Sequence, residues 1–226
     1  MAKRRNRRPP PPPPPSGMPV GLIAAMVTVV LLLVAGIGGW YLYQTQRPDR
    51  TGAVPASADS SGVTVGTGPV KIDVYLDFIC PACKAFEERA EGTLAQLVSA
   101  GKVTVKYHPL GFLDGQSTTK YSSRSAAASG CAADAGKFVE YAGVLYDRQP
   151  AEGGPGLTDD VLIELAQQAG IDTGPFKTCV NDGRYRGWVD GITELGARAG
   201  VTGTPTVLVN NRKVDPTPEA ITAAVG

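Results

Sequence analysis

The sequence predicts an α/β domain in which a block of helices separates two strand-containing halves, preceded by one membrane-spanning helix. Three observations lead to this prediction. Residues 20–43 contain no charged side chain, and strand-like and helix-like patterns alternate after Pro69. A Cys-x-x-Cys pair, Cys80 and Cys83, stands where the first strand of the domain meets its first helix. These features divide the chain into a tail, an anchor, a linker and a folded domain.

The distribution of charge separates the N-terminal tail from the rest of the chain. Residues 1–19 carry five Lys and Arg side chains followed by seven consecutive prolines, and we interpret them as a cytoplasmic tail with a stiff polyproline spacer. After residue 68, 19 acidic side chains outnumber 15 basic ones. A mildly acidic domain gives no support to nucleic-acid binding, so we expect no nucleic-acid partner.

The apolar stretch at residues 20–43 is 24 residues long, and about 20 such residues span a bilayer as a helix. The basic residues before it predict a cytoplasmic N-terminus, with everything after the span outside the cytoplasm. Aromatic residues, which favour the membrane interface, cluster at its far end: Trp40, Tyr41 and Tyr43. A cleaved signal peptide is the alternative, but its apolar core is usually shorter. We therefore predict an uncleaved, single-pass anchor in the cell membrane.

The remaining chain predicts a linker and one folded domain. Residues 44–68 are rich in small and polar residues without apolar periodicity, which is typical of a flexible linker. The folded domain is assigned to residues 69–226. Its predicted elements are a strand at 70–78, a helix at 81–98, a strand at 102–110, helices between about 115 and 198, a strand–turn–strand at 204–214 and a helix at 217–225. Within the helical block, residues 124–147 are assigned to one continuous segment, and Thr158 caps the next helix.

The Cys80–Cys83 pair fits a zinc site, a structural staple or a redox dithiol. A zinc site requires a second close pair of ligands, but Cys131 and Cys179 are 48 residues apart and the only histidine is His108. A bridge between Cys80 and Cys83 closes too small a loop to remove much chain entropy. We therefore favour a dithiol and expect neither a metal nor a cofactor.

The position of the pair favours redox chemistry. Pro81 suits the first position of a helix, because its missing N–H needs no partner there. Cys80 is then placed at the positive end of the helix, where a thiolate is stabilised. Cys83, one turn later, is placed to resolve a mixed disulfide.

Two sequence motifs, with the helical block between them, resemble one known family. The stretch "DFICPACKAF", the helical block and the stretch "GVTGTPTVLVNNRKV" together resemble the DsbA-like thiol–disulfide oxidoreductases of the thioredoxin superfamily, in particular the membrane-anchored forms of Gram-positive-type bacteria. The resemblance implies a thioredoxin fold with an inserted helical domain. It also implies that Cys80 is the nucleophile, that Cys83 is the resolving thiol, and that Thr204-Pro205 matches the cis-proline turn of the family.

The sequence departs from the family pattern at three positions. Ala82 stands where the best-known members carry a histidine that stabilises the thiolate, so their strong oxidising power is not carried over. Thr204 before the proline occurs in several isomerase-type relatives. The buried acid that thioredoxins place six residues before the first cysteine is Val74 here. Asp77 is the nearest candidate to move protons for Cys83, and a solvated carboxylate at the strand end is the alternative.

The resemblance implies an extracytoplasmic oxidase that passes the Cys80–Cys83 disulfide to reduced or unfolded exported proteins. A quinone-linked membrane oxidase of the DsbB or VKOR type is then expected to restore the disulfide. A reductase or isomerase of the same fold is the first alternative, and a tethered binding or chaperone module with a vestigial pair is the second. The short linker favours a monomer.

The two remaining cysteines are predicted to form a structural disulfide. Cys131 and Cys179 both fall in segments assigned to the helical block, and an extracytoplasmic compartment favours the oxidation of spare thiols. Some relatives of this type carry a second bridge in the insert. Two buried, free cysteines that act as small apolar residues are the alternative.

Overall fold

The computed structural model describes residues 20–45 and 52–226, which belong to two separate units. The first unit contains helix α1, Val20–Thr45. Within the described residues, no helix was found that is long and apolar enough to cross a membrane. The predicted tail at residues 1–19 lies outside the described residues. The anchor predicted at residues 20–43 lies partly outside the described side chains and stays a prediction.

The second unit forms one sheet with helices around it. Its elements are β1 (Ala58–Asp59), β2 (Gly62–Val65), β3 (Val70–Leu76), α2 (Pro81–Ser99), β4 (Val103–Pro109), a short 3-10 helix (Asp114–Gln116), α3 (Tyr121–Asp134), α4 (Phe138–Asp147), α5 (Asp159–Gln168), α6 (Thr173–Asn181), α7 (Arg186–Arg198), β5 (Thr206–Val209), β6 (Arg212–Val214) and α8 (Pro218–Val225). The predicted order of strand, helix, strand, helical block, two strands and a helix is confirmed.

The sheet has the strand order β1-β2-β4-β3-β5-β6, with β3 and β4 parallel and the other neighbours antiparallel. Parallel neighbours need a crossover connection, and α2 provides it between β3 and β4. In the centre, Ile72 is fully buried between Val105 of β4 and Val209 of β5. The two halves β3-α2-β4 and β5-β6-α8 share this sheet, as the resemblance to the thioredoxin superfamily implied.

The helices α3 to α7 form the insert between β4 and β5. The segment predicted as continuous at residues 124–147 is instead two helices, because the chain turns at Gly136, whose φ of +66° favours glycine. The cap predicted for α5 is confirmed, since the hydroxyl of Thr158 accepts a hydrogen bond from the N–H of Val161 at 3.3 Å. α7 packs against β4 and thereby attaches the insert to the sheet.

The folded unit begins earlier in the chain than predicted, so the linker assignment at residues 44–68 needs correction. Strands β1 and β2 both lie in that range, and β2 pairs with β4 through Val63 and Tyr107. Val63 is 1% exposed. A strand of four residues gives no periodic signal in the sequence, and its stability comes from pairing with a neighbour distant in the chain. Residues 46–51 of the predicted linker lie outside the described residues.

Candidate active site

Cys80 lies at the N-terminus of α2, as predicted. It is the residue before the first helical turn, with extended dihedral angles, and Pro81 follows as the first helical residue. The first turn of α2 contains no acidic side chain that would oppose a negative charge at this helix end. The carbonyl of Cys80 accepts hydrogen bonds from the N–H groups of Cys83 at 3.1 Å and Lys84 at 3.2 Å. These contacts hold the Cys80 sulfur over the helix N-terminus.

The surroundings of Cys80 favour its thiolate. A hydrogen bond from the Cys83 thiol is the largest cause that lowers the pKa of Cys80, from 9.0 to about 5, while burial acts in the opposite direction. The Thr204 side chain and the backbone N–H groups of Cys83 and Ala82 lower the pKa further. The histidine that Ala82 replaces is therefore not required for a stable thiolate in this chain.

Cys83 has the opposite environment. It is 1% exposed, and burial raises its pKa far above the ordinary value for a thiol, with a further increase from the neighbouring Cys80. Neither cysteine is in a disulfide in this structure. The pair therefore combines an ionised sulfur at Cys80 with a protonated one at Cys83, which is the arrangement that a nucleophile and a resolving thiol require.

The Thr204–Pro205 turn lies directly beside Cys80. Its peptide bond is cis, as the resemblance implied, and the Cys80 thiol donates a hydrogen bond to the carbonyl of Thr204 at 3.3 Å. Among the described residues, the buried hydroxyl of Thr204 has no hydrogen-bond partner in this thiol form. That hydroxyl is available as a donor when Cys80 ionises.

Asp77 is buried, and the hydrogen-bond partners of its carboxylate are groups other than the two thiols. It is 0% exposed and accepts hydrogen bonds from the N–H of Ile79 at 3.1 Å, the N–H of Leu113 at 2.9 Å and the hydroxyl of Ser122. Burial raises the pKa of Asp77 to about 6 despite these donors, and a charged Cys80 raises it as well. The alternative of a solvated carboxylate is wrong, because the side chain ties together three segments of the interior.

Two residues that hold this region were not identified from the sequence. Ser122 on α3 binds Asp77, and the side-chain amide of Gln149, just after α4, donates to the carbonyls of Phe78 and Cys80. Both come from the helical insert, at least 45 residues away in the chain. A serine in a helix and a glutamine in a loop give no local signal, so only the folded arrangement identifies them.

Cys131 and Cys179 form the predicted disulfide. It joins α3 to α6 inside the insert, with both residues buried. It is separate from the Cys80–Cys83 pair, so the four cysteines divide into two pairs. Within residues 20–45 and 52–226, no group of three or more His, Cys, Asp or Glu side chains is arranged to hold a metal ion.

Comparisons with known proteins agree with this geometry. A thioredoxin family model matches residues 63–226. The solved structure of the disulfide bond oxidoreductase DsbG from Mycobacterium tuberculosis is 35% identical, with a TM-score of 0.66, over 75% of this chain and 88% of that chain. The oxidised DsbA of the same organism is 36% identical, with a TM-score of 0.64, over 73% and 90% of the two chains.

One curated relative is much longer than this chain. The serine/threonine-protein kinase PknE of M. tuberculosis is 33% identical over 168 residues, which are 69% of this chain but only 30% of the kinase. This chain therefore spans about a third of the length of that relative. The family match over residues 63–226 and the agreement with two nearly fully covered oxidoreductase structures show that the chain belongs to the thioredoxin family, among its DsbA-like thiol–disulfide oxidoreductases.

Proposed function

We propose that the protein is an extracytoplasmic thiol oxidase that transfers its Cys80–Cys83 disulfide to exported proteins while they fold. The observation that carries this proposal is the low pKa of Cys80, about 5, at a helix N-terminus beside the Thr204–Pro205 turn. A stable thiolate favours the reduced enzyme, and an enzyme whose reduced form is stabilised is a strong oxidant.

The reaction begins with the oxidised pair. A substrate thiolate attacks the sulfur of Cys80, the Cys80–Cys83 bond breaks, and a mixed disulfide forms between Cys80 and the substrate. Cys83 leaves as a thiolate and takes up a proton, since its burial strongly disfavours the charge. This step matches the environment of each sulfur, because Cys80 is the more exposed of the two cysteines.

The second step releases the product. Another thiolate of the same substrate attacks the substrate sulfur of the mixed disulfide, and Cys80 leaves as the thiolate that its surroundings stabilise. A thiol of low pKa is the faster leaving group in this exchange. In total, two electrons pass from the substrate dithiol to the enzyme, and a substrate disulfide forms. The backbone of Asp77 favours the charged form of Cys83 through a hydrogen bond, and the charge of the Asp77 carboxylate is proposed to act on Cys80.

The reduction potential of the Cys80–Cys83 pair tests the direction of transfer. It is measured by equilibration with glutathione buffers, with Cys80→Ser as the inactive control. We expect a value above about −200 mV, the range of the oxidants and isomerases of this superfamily. A value near that of thioredoxin, about −270 mV, contradicts the oxidase and supports a reductase.

Disulfide isomerisation is the second candidate. It is favoured by Thr204, the residue type that several isomerase-type relatives carry before the proline. Refolding assays with two substrate proteins separate oxidation from isomerisation. The first substrate is fully reduced, and the second carries scrambled disulfides. An oxidase accelerates the recovery of the first substrate, whereas an isomerase also accelerates the second.

The location and the recharging partner are proposed on the sequence and the family resemblance. Residues 20–43 are proposed to anchor the protein in the cell membrane with the catalytic domain outside, and a quinone-linked membrane oxidase of the DsbB or VKOR type is proposed to reoxidise it. Cysteines introduced after Gln46 should react with impermeant reagents from outside, and cysteines introduced before Pro19 should not. Labelling only from the cytoplasmic side contradicts this topology, and a mature N-terminus at Asp59 contradicts the uncleaved anchor.

A further inference from the structure

Gln149 connects the helical insert to the segment that leads into Cys80. It follows the last turn of α4, and its backbone N–H binds the carbonyl of Tyr146 at 3.1 Å. Its side-chain nitrogen lies 3.0 Å from the carbonyl oxygen of Phe78 and 3.0 Å from that of Cys80. A primary amide carries two N–H donors, so one side chain serves both carbonyls. Because both partners are acceptors, the nitrogen of the amide must face them.

The two carbonyls lie on either side of the peptide that leads into Cys80. Phe78 and Ile79 are fully buried, so a carbonyl in this segment needs a protein donor in place of water. The Cys80 carbonyl is also the acceptor for the first turn of α2. Gln149 therefore holds the backbone at the point where the extended segment becomes a helix.

The orientation of this segment decides which groups face the Cys80 sulfur. Cys80 has extended dihedral angles, whereas the residues after it are helical. That change of conformation directs the sulfur toward the N–H groups of Ala82 and Cys83, which favour its charged form. A small rotation of the Cys80 peptide would move the sulfur away from these donors, and hydrogen bonds weaken steeply with misalignment.

We propose that Gln149 is a positioning residue of the redox site, whose amide holds the Cys80 backbone so that its sulfur stays over the N-terminus of α2. The inference rests on the proposed function, since it concerns the same cysteine. Gln149 does not touch the reacting atoms and acts only through the Phe78 and Cys80 carbonyls.

A merely structural role for Gln149 predicts a different result. The insert also contacts this segment through Tyr146, whose hydroxyl donates to the carbonyl of Asp77 at 3.5 Å and whose ring lies 5.2 Å from that of Phe78. If Gln149 only attaches the insert, its loss lowers stability, as the loss of the Tyr146 hydroxyl does, and leaves the ionisation of Cys80 unchanged.

The test is the titration of the reduced protein, followed by the ultraviolet absorbance of the thiolate. Gln149→Met removes both donors and keeps the length of the side chain. In this variant we expect the midpoint of the Cys80 titration to rise by about one pH unit, which is a tenfold change in the ionisation constant. A change of this size corresponds to the loss of one charge-assisted hydrogen bond to the Cys80 thiolate. Tyr146→Phe and the exposed Gln168→Met serve as controls whose midpoints should stay at the wild-type value. Because Asp77 titrates near 6, the curves are fitted with two transitions.

An unchanged Cys80 midpoint in a folded Gln149→Met protein overturns the proposal. If this variant does not fold, the wild-type protein provides the answer by NMR, because the side-chain amide resonances of Gln149 should follow the Cys80 titration while those of Gln168 do not. Amide resonances of Gln149 that ignore the titration overturn it equally. Neither measurement uses a substrate. The titration therefore tests the role of Gln149, and the refolding assay tests the oxidase proposal, independently of each other.

Discussion

The thiolate of Cys80 should stabilise the folded, reduced protein in a way that depends on pH. Its pKa falls from 9.0 in the ordinary environment to about 5 in the folded protein. A depressed pKa of an acid contributes stability that is fully present above the unfolded value and is lost as the pH falls through the folded value. The window for Cys80 is therefore about pH 5 to pH 9.

The size of this contribution follows from the two pKa values. At pH 7 the folded protein holds Cys80 as a thiolate while the unfolded chain holds it as a thiol, which corresponds to about 3 kcal/mol. At pH 5 the folded thiolate is only half formed, and the contribution is less than about half a kcal/mol. We therefore expect the contribution of Cys80 to rise by about 2 kcal/mol between these two conditions.

Urea unfolding of the reduced protein and of Cys80→Ser, at pH 5 and at pH 7 with a phosphine reductant, measures this change. The difference in the free energy of unfolding between the two proteins should increase by about 2 kcal/mol from pH 5 to pH 7. Other titrating groups are present in both proteins. Asp77, whose pKa a charged Cys80 raises, is replaced by asparagine in both proteins so that its coupling to Cys80 does not contribute. Cys83→Ser is the matched control, because Cys83 stays neutral and its replacement keeps a hydroxyl donor for Cys80. The reasoning is refuted if the difference in the free energy of unfolding between the two proteins is the same at both pH values.

Three further outcomes are expected. Thr204→Val removes the hydroxyl beside Cys80 and should raise the Cys80 pKa by up to about one unit, seen in the thiolate absorbance. Asp77 has a raised pKa, so its ionisation opposes folding. The stability of the wild type relative to Asp77→Asn should fall by about 2 kcal/mol as the pH rises from about 4 to about 6; urea unfolding at these pH values checks it, and a flat difference contradicts it. Replacing Cys131 and Cys179 together by alanine should lower stability by up to about 4 kcal/mol without moving the Cys80 titration, and a shifted titration would show that the bridge is not merely structural.

The sequence predicts those parts of the site that are local in the chain. The Cys-x-x-Cys spacing and Pro81 describe one helix start, and the Thr204-Pro205 pair describes one turn, so each appears as a short motif. The pKa of Cys80 is only partly local, because it depends first on the nearby Cys83 and then also on Thr204, which is 124 residues away. The roles of Ser122 and Gln149 also depend on tertiary contacts. The position of Asp77 is visible in the sequence, but its hydrogen bonds from Leu113 and Ser122 depend on tertiary contacts that no local pattern reveals.

The predicted fold was accurate where periodicity is strong and wrong where it is weak. The alternating pattern of β3 and the apolar face of α2 predicted those elements within one or two residues. The hairpin of β1 and β2 was assigned to a linker, because two-residue and four-residue strands are too short for a periodic signal.

That hairpin covers the edge of a strand that is rich in β-branched and aromatic residues. β4 has the sequence VTVKYHP, with Val103, Val105 and Tyr107 buried. Its outer backbone groups pair with β2, and His108 holds the hairpin turn through the carbonyl of Ser61 at 2.6 Å.

A shortened protein that begins at Pro69 would leave this edge of β4 unpaired. An uncovered edge rich in β-branched residues is a template for the strand of a second molecule. If such a fragment formed dimers or fibrils, the cause would therefore be the loss of the hairpin, and the assembly would say nothing about the natural chain. A shortened form intended for biochemical work should begin no later than Gly52, so that β1 and β2 remain in place.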